Sequence, residues 1–165
     1  MNKQNFKTAL ALLILFIADR LLKIIILKSP AIVEGDFVSH FINKPEINSG
    51  IALSLPLNNN LAIVISVIAI IIIAWHLSSL LKYRTWLILY WGFIIIGAFS
   101  NLLDRIAFHG VVDYLSLPFI PSLFNPSDSF IFIGAILLAL NTGLYSALSI
   151  GQSLAGLKDK QDSSK

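Results

Sequence analysis

Two aspartates stand where the sequence makes catalysis natural. Asp113 follows the apolar pair Val111-Val112, and Asp128 closes the run Phe124-Asn125-Pro126-Ser127. Each borders a long apolar stretch. If the segments that carry them pack side by side, the two carboxylates approach each other. Like charges at close range cannot both ionise easily, so one carboxyl keeps its proton near neutral pH. A protonated acid beside an ionised base is what activating a water against an amide requires. Asn125 is placed to orient one of the pair. Spacing alone leaves plainer roles open: Asp128 suits a helix N-cap, and Asp113 suits a solvated loop.

Two further constellations lie on apolar segments, where ionisable groups are costly and mark function by default. Asp19 and Lys23 are four apart, so one helix face carries both and they can pair. That pair serves either as a structural brace or as a substrate contact. In Ser100-Asn101-Leu102-Leu103-Asp104-Arg105, Asn101 and Arg105 share a face and Asp104 lies beside them. Arg105 either snorkels to the membrane surface or offers its fixed donors to a lipid phosphate or a peptide carbonyl. Other chemistries lack their residues. Cysteine is absent, which excludes disulfides, thiolate metal sites and a cysteine nucleophile. His40, His76 and His109 are scattered without metal-ligand spacing. No nucleophile elbow, Walker A loop or dinucleotide fingerprint occurs.

The elements that must position these residues are membrane helices. Of 165 residues, 56% are hydrophobic and 13% charged, against roughly 25% charged in soluble domains. A bilayer core needs roughly 20 apolar residues of helix. Runs at about 8–27, 61–81, 86–106 and 129–151 meet that length. The first has a basic start like a signal peptide, but Asp19-Arg20 interrupts it and no small-residue cleavage site follows. The net charge of +3 reads as topology rather than as nucleic-acid binding, because the basic residues sit beside apolar runs. Lys3 and Lys7, Lys82 and Arg84, and Lys158 and Lys160 fall on one side, which the positive-inside rule makes cytoplasmic. Both termini are then cytoplasmic, and residues 28–60 and 107–128 lie outside. In the outer loop 28–60, residues 37–42 and 51–55 carry strand patterns around the turn signal Asn48-Ser49-Gly50. The expected fold is all-α, one unit of four transmembrane helices over 1–157, with a small extracytoplasmic β-sheet. A polar, disordered tail is expected at 158–165.

Taken together, the motifs resemble the bacterial lipoprotein signal peptidases (signal peptidase II). Asp19-x-x-x-Lys23 is similar to the family's first-helix motif. Asn48-Ser-Gly50-Ile-Ala52-Leu-Ser54 is similar to its N-x-G-x-A-F-S loop. Gly97-Ala-Phe-Ser-Asn101-Leu-Leu-Asp104-Arg105 resembles its third-helix motif, Val112-Asp113-Tyr114 its first catalytic segment, and Phe124-Asn125-x-x-Asp128 its second. Ser100 stands where many members have Gly, and Ser127 where Ala is usual. Ile51 and Leu53 also depart from the loop pattern. The Ser127 hydroxyl is expected to bond Asp128.

The resemblance implies an aspartic endopeptidase of the inner membrane. Its substrate would be a diacylglyceryl-modified prolipoprotein, cut before the lipidated cysteine by water that Asp113 and Asp128 activate. No metal or cofactor is implied. Asn101, Asp104 and Arg105 would line the site, Asn48, Gly50 and Asn125 would support it, and Asp19 and Lys23 would brace it. Expected partners are the substrate, membrane lipids and globomycin-type cyclic peptide inhibitors, with the chain a monomer. Two rival readings are a small proton-coupled transporter and a non-catalytic lipid-binding protein. The clustering of the acids at one face, with no inverted repeat, opposes the first. The intact pair of aspartates opposes the second.

Overall fold

The computed structural model describes residues 3–28, 41–50, 57–80 and 85–143. The expected strands at 51–55 and most of 37–42, the tail 158–165 and the end of the fourth helix lie outside them. Within them, α1 is Lys3–Lys28, β1 Ile42–Asn48, α2 Asn59–Leu80, α3 Thr85–Phe108, β2 Val111–Leu117 and β3 Ile120–Phe124. A further helix, α4, follows at Pro126–Gly143.

Three of these helices, among the described residues, are long and apolar enough to cross a membrane: α2, α3 and α4. Their apolar side chains point outward. Ile71, Trp75, Phe132 and Leu140 are all more than 60% exposed. In water that surface would drive aggregation; against acyl chains it is matched. α1 has 26 residues, about 39 Å of helix at 1.5 Å per residue, but Asp19, Arg20 and Lys23 interrupt its apolar run. Those side chains turn away from the lipid-facing surface and into α3.

α3 is the central helix, with α1 and α2 packed against it. Contacts to α1 advance in step along both chains, Asp19 with Ser100 and Lys23 with Asp104, so the two helices run parallel. α4 runs antiparallel to α3. Gly97 is essential there, because a Cβ at that position would collide with the Ser127 carbonyl oxygen. The two backbones therefore approach closely near the start of α4, as small residues allow in membrane bundles.

The small sheet also takes in chain from beyond the outer loop. Its order is β1-β2-β3, antiparallel throughout, and among the described residues one strand comes from the outer loop. The other two form a hairpin between α3 and α4. α3 ends with His109 at a φ of 59°, the left-handed turn that closes many helices. Gly110 then passes so near Asn48 that a Cβ would meet its carbonyl oxygen at 2.8 Å. β2 starts directly after this turn. Ile47 pairs with Val112 and Asn48 with Val111. Val112 and Tyr114 pack with Ile26 of α1, locking the sheet onto the bundle. Side chains alternate along a strand, so Asp113 points to the opposite face.

Candidate active site

Asp113 sits on a strand and is only 3% exposed, which corrects the solvated-loop reading. Asp128 lies in the first turn of α4 but does not cap it. Asn125 is the cap: its Oδ1 accepts the Asp128 amide at 3.1 Å, and the Asn125 amide returns a bond to Asp128 Oδ2 at 3.2 Å. This reciprocal pair is a capping box with Pro126 at the first helical position. The remaining end of Asn125, Nδ2, donates to Asp113 Oδ1 at 2.7 Å. One asparagine therefore touches both carboxylates.

The other two carboxylate oxygens are held the same way. Asn48 Nδ2 donates to Asp113 Oδ2 at 2.9 Å, and Asn101 Nδ2 to Asp128 Oδ1 at 2.7 Å. Asn48 is itself oriented, since its Oδ1 accepts the Gly50 amide at 2.9 Å. Every oxygen of the pair thus accepts one neutral N–H donor. Among the described residues, no cation forms an ion pair with either aspartate. Burial raises the Asp113 carboxyl from its ordinary 3.8 to about 6, and the charge of Asp128 adds to the rise. The amides of Asn125 and Asn48, and more weakly the Lys23 charge, oppose it. Next along the strand, Tyr114 is pushed up by burial and by the charges of Asp19 and Asp104.

Arg105 does not snorkel. It is 7% exposed, and its Nη2 donates to the Gly50 carbonyl at 2.8 Å. Its Nη1 is buried and has no hydrogen-bond partner among the described residues.

A second polar layer joins α1, α3 and the start of α4. Arg20 Nη1 reaches Asp104 Oδ1 at 2.5 Å, and Lys23 Nζ reaches Asp104 Oδ2 at 2.6 Å. Asp104 Oδ2 also accepts the Val112 amide at 3.3 Å, tying this layer to β2. Lys23 lies 3.6 Å from Asp19. Arg20 was absent from the residues singled out by sequence. Its signal was available: it adjoins Asp19 in an apolar run, where a charge needs a partner.

With this geometry in view, the family model described as signal peptidase (SPase) II matches residues 11–144. The chain belongs to the signal peptidase II family. It is thus an integral membrane protease of bacterial type. It is 34% identical over 156 residues to a lipoprotein signal peptidase of Pelagibacter ubique, covering 85% of this chain and 92% of that one. It is 35% identical over 108 residues to a lipoprotein signal peptidase of Caldanaerobacter subterraneus subsp. tengcongensis, covering 61% and 70%. A solved bacterial membrane enzyme, determined by the in meso method at 2.3 Å, shares the fold with a TM-score of 0.70 at 22% identity. That match covers 82% of this chain and 87% of the other.

The two serines that depart from the signal peptidase II pattern meet on one atom. Ser127 Oγ donates to Asp19 Oδ2 at 2.7 Å, and the Ser100 hydroxyl donates to the same oxygen. The expected bond from Ser127 to Asp128 is not formed. Ser127 is fully buried and faces α1, whereas Asp128, the next residue, is turned about 100° further around the helix. Ile51 and Leu53 lie outside the described residues.

Proposed function

We propose that Asp113 and Asp128 are a catalytic dyad that hydrolyses the signal peptide of diacylglyceryl-modified prolipoproteins just before the lipidated cysteine. The observation that carries this reading is the bridge through Asn125, which holds both carboxylates by neutral donors with no ion pair to either among the described residues. Such a pair shares a proton and titrates as a unit. Its ionised member takes a proton from water, and the resulting hydroxyl adds to the scissile carbonyl carbon. The protonated member stabilises the oxygen of the tetrahedral intermediate and then protonates the departing amine. Arg105 Nη1 is the buried donor free to meet a substrate carbonyl or a lipid phosphate. Asn48, Asn101 and Asn125 orient the acids, and Asp19, Lys23, Asp104 and Arg20 brace the bundle beneath them.

Membrane placement suits the substrate. We assign α1 as a fourth span whose charges are neutralised against α3, with both termini in the cytoplasm and the dyad near the outer face. An acylated peptide then enters sideways with its chains still in lipid.

The test is cleavage of a diacylglyceryl-modified prolipoprotein peptide by the purified chain in detergent, beside the same peptide without lipid. Lipid-dependent scission directly before the cysteine is expected. Folded protein that cleaves neither peptide, but takes up solute on a proton gradient in proteoliposomes, would return the transporter reading.

A further inference from the structure

Below the dyad lies a set of bonds that the hydrolytic step does not use directly. Lys23 has three N–H donors. They meet Asp104 Oδ2 at 2.6 Å, Asn101 Oδ1 at 3.1 Å and Ser127 Oγ at 3.5 Å. The bond to Asn101 Oδ1 fixes which way that amide faces. Its oxygen is held by the ammonium, so Nδ2 is the end presented to Asp128 Oδ1. Were the amide to rotate, an oxygen would confront the carboxylate. The position of Lys23 therefore controls a bond to the dyad.

Lys23 is held by Asp104 and reaches Ser127, with Asp19 further off. At 3.6 Å the Asp19–Lys23 pair is longer than a charge-assisted hydrogen bond, which runs about 2.7–2.9 Å. The Asp19 oxygen nearest Lys23 is already engaged by the hydroxyls of Ser100 and Ser127.

We propose that Ser127 is a positioning residue for Asp128: its hydroxyl donates to Asp19 Oδ2 and accepts from Lys23, which leaves the ammonium on Asn101 and Asn101 on the dyad. The inference rests on the peptidase reading above. Without this hydroxyl, Asp19 loses a donor and Lys23 an acceptor. The ion pair then closes, Nζ withdraws from Asn101, and the amide is released. The charged groups that act on Asp128 are Lys23 and Asp19 of α1, Arg105 of α3 and Asp113 of β2. Of these, Lys23 and Asp19 are the two that Ser127 touches.

The experiment is a double-mutant cycle of Ser127→Ala and Asn101→Ala, read as kcat, KM and the pH–rate profile on the lipidated peptide. Ser127→Ala is expected to lower kcat about ten-fold with KM within about two-fold, because the hydroxyl is buried away from substrate. A limb of the pH–rate profile should move. In the Asn101→Ala background the same change should have little further effect, since both act through one bond. Wild-type kcat in Ser127→Ala, a change in KM alone, or a fully additive loss in the double variant would overturn the proposal. If Ser127→Ala melts early, Ser127→Cys fills the same space with a weaker donor. It should give an intermediate kcat, and wild-type kcat there contradicts the proposal. Cleavage by the unaltered chain that is lost in Asp128→Asn supports the peptidase reading separately. A negative Ser127 result then leaves that reading intact, whereas an inactive unaltered chain removes both.

Discussion

The chain buries two pairs of aspartates a few residues apart in space and treats them in opposite ways. Asp19 and Asp104 are met by Arg20, Lys23 and two serine hydroxyls. Asp113 and Asp128 are met by asparagine amides and one backbone amide. A cation pairs with a buried carboxylate and fixes it as structure. A neutral amide orients the carboxylate and offsets part of the burial effect, which still lifts the Asp113 titration toward neutrality. Residue type alone does not separate the brace from the acid; the partner does.

Ways to break this contrast differ in size. The largest expected effect is on stability in the cation-held layer. Lys23→Met takes the cation from Asp19, and Asp104→Asn takes the carboxylate from Lys23 and Arg20; breaking a buried pair in this way costs about 3–5 kcal/mol. A thermal melt in detergent should show a large loss for either variant and none for Asp113→Asn. Equal melting of all three variants would erase the distinction between the layers.

An intermediate effect concerns the pH dependence of stability. Asp113 titrates at about 6 in the folded chain and 3.8 outside it. Between those values the folded state binds more protons than the unfolded state, so stability falls as pH rises through that window. Below 3.8 the contribution is fully present; above about 6 it is lost. The Asp113 contribution, read as the melting temperature of wild type minus that of Asp113→Asn from pH 3.5 to 7, should therefore decline as pH rises.

The smallest effect sharpens the role of the amides. Asn48→Ala or Asn125→Ala removes a donor that favours ionised Asp113. The corresponding limb of the pH–rate profile should move upward by roughly half a unit, equivalent to about 0.7 kcal/mol. A downward shift would mean that the amides stabilise the neutral acid instead.

Much of this was legible in the sequence, for physical reasons. Apolar runs longer than a bilayer core announce helices, and five short fragments in order pointed to the family that the comparisons then showed. The spacing of Asp19 with Lys23, and of Asn101 with Arg105, announced shared faces. Less legible was anything set by partners across the fold. The hairpin of β2 and β3 carries its signal in Val111–Leu117, rich in β-branched and aromatic residues, with Pro118-Phe119 at the turn. That run was short beside the helices flanking it. Asp128 and Asn125 are both good caps in isolation. Only the bond from Asn125 Oδ1 to the Asp128 amide decides between them. The direction of the Ser127 hydroxyl was hidden for the same reason, because α1 lies more than 100 positions away along the chain.

The central claim is that the amide-held pair does the chemistry. Its most direct test is the single-turnover rate on the diacylglyceryl-modified peptide for wild type, Asp113→Asn and Asp128→Asn, each shown by its melt to be folded. The account predicts that both variants lose at least about 10³-fold in rate, the scale expected when one member of a catalytic unit is removed. Wild-type rate in either folded variant would contradict it.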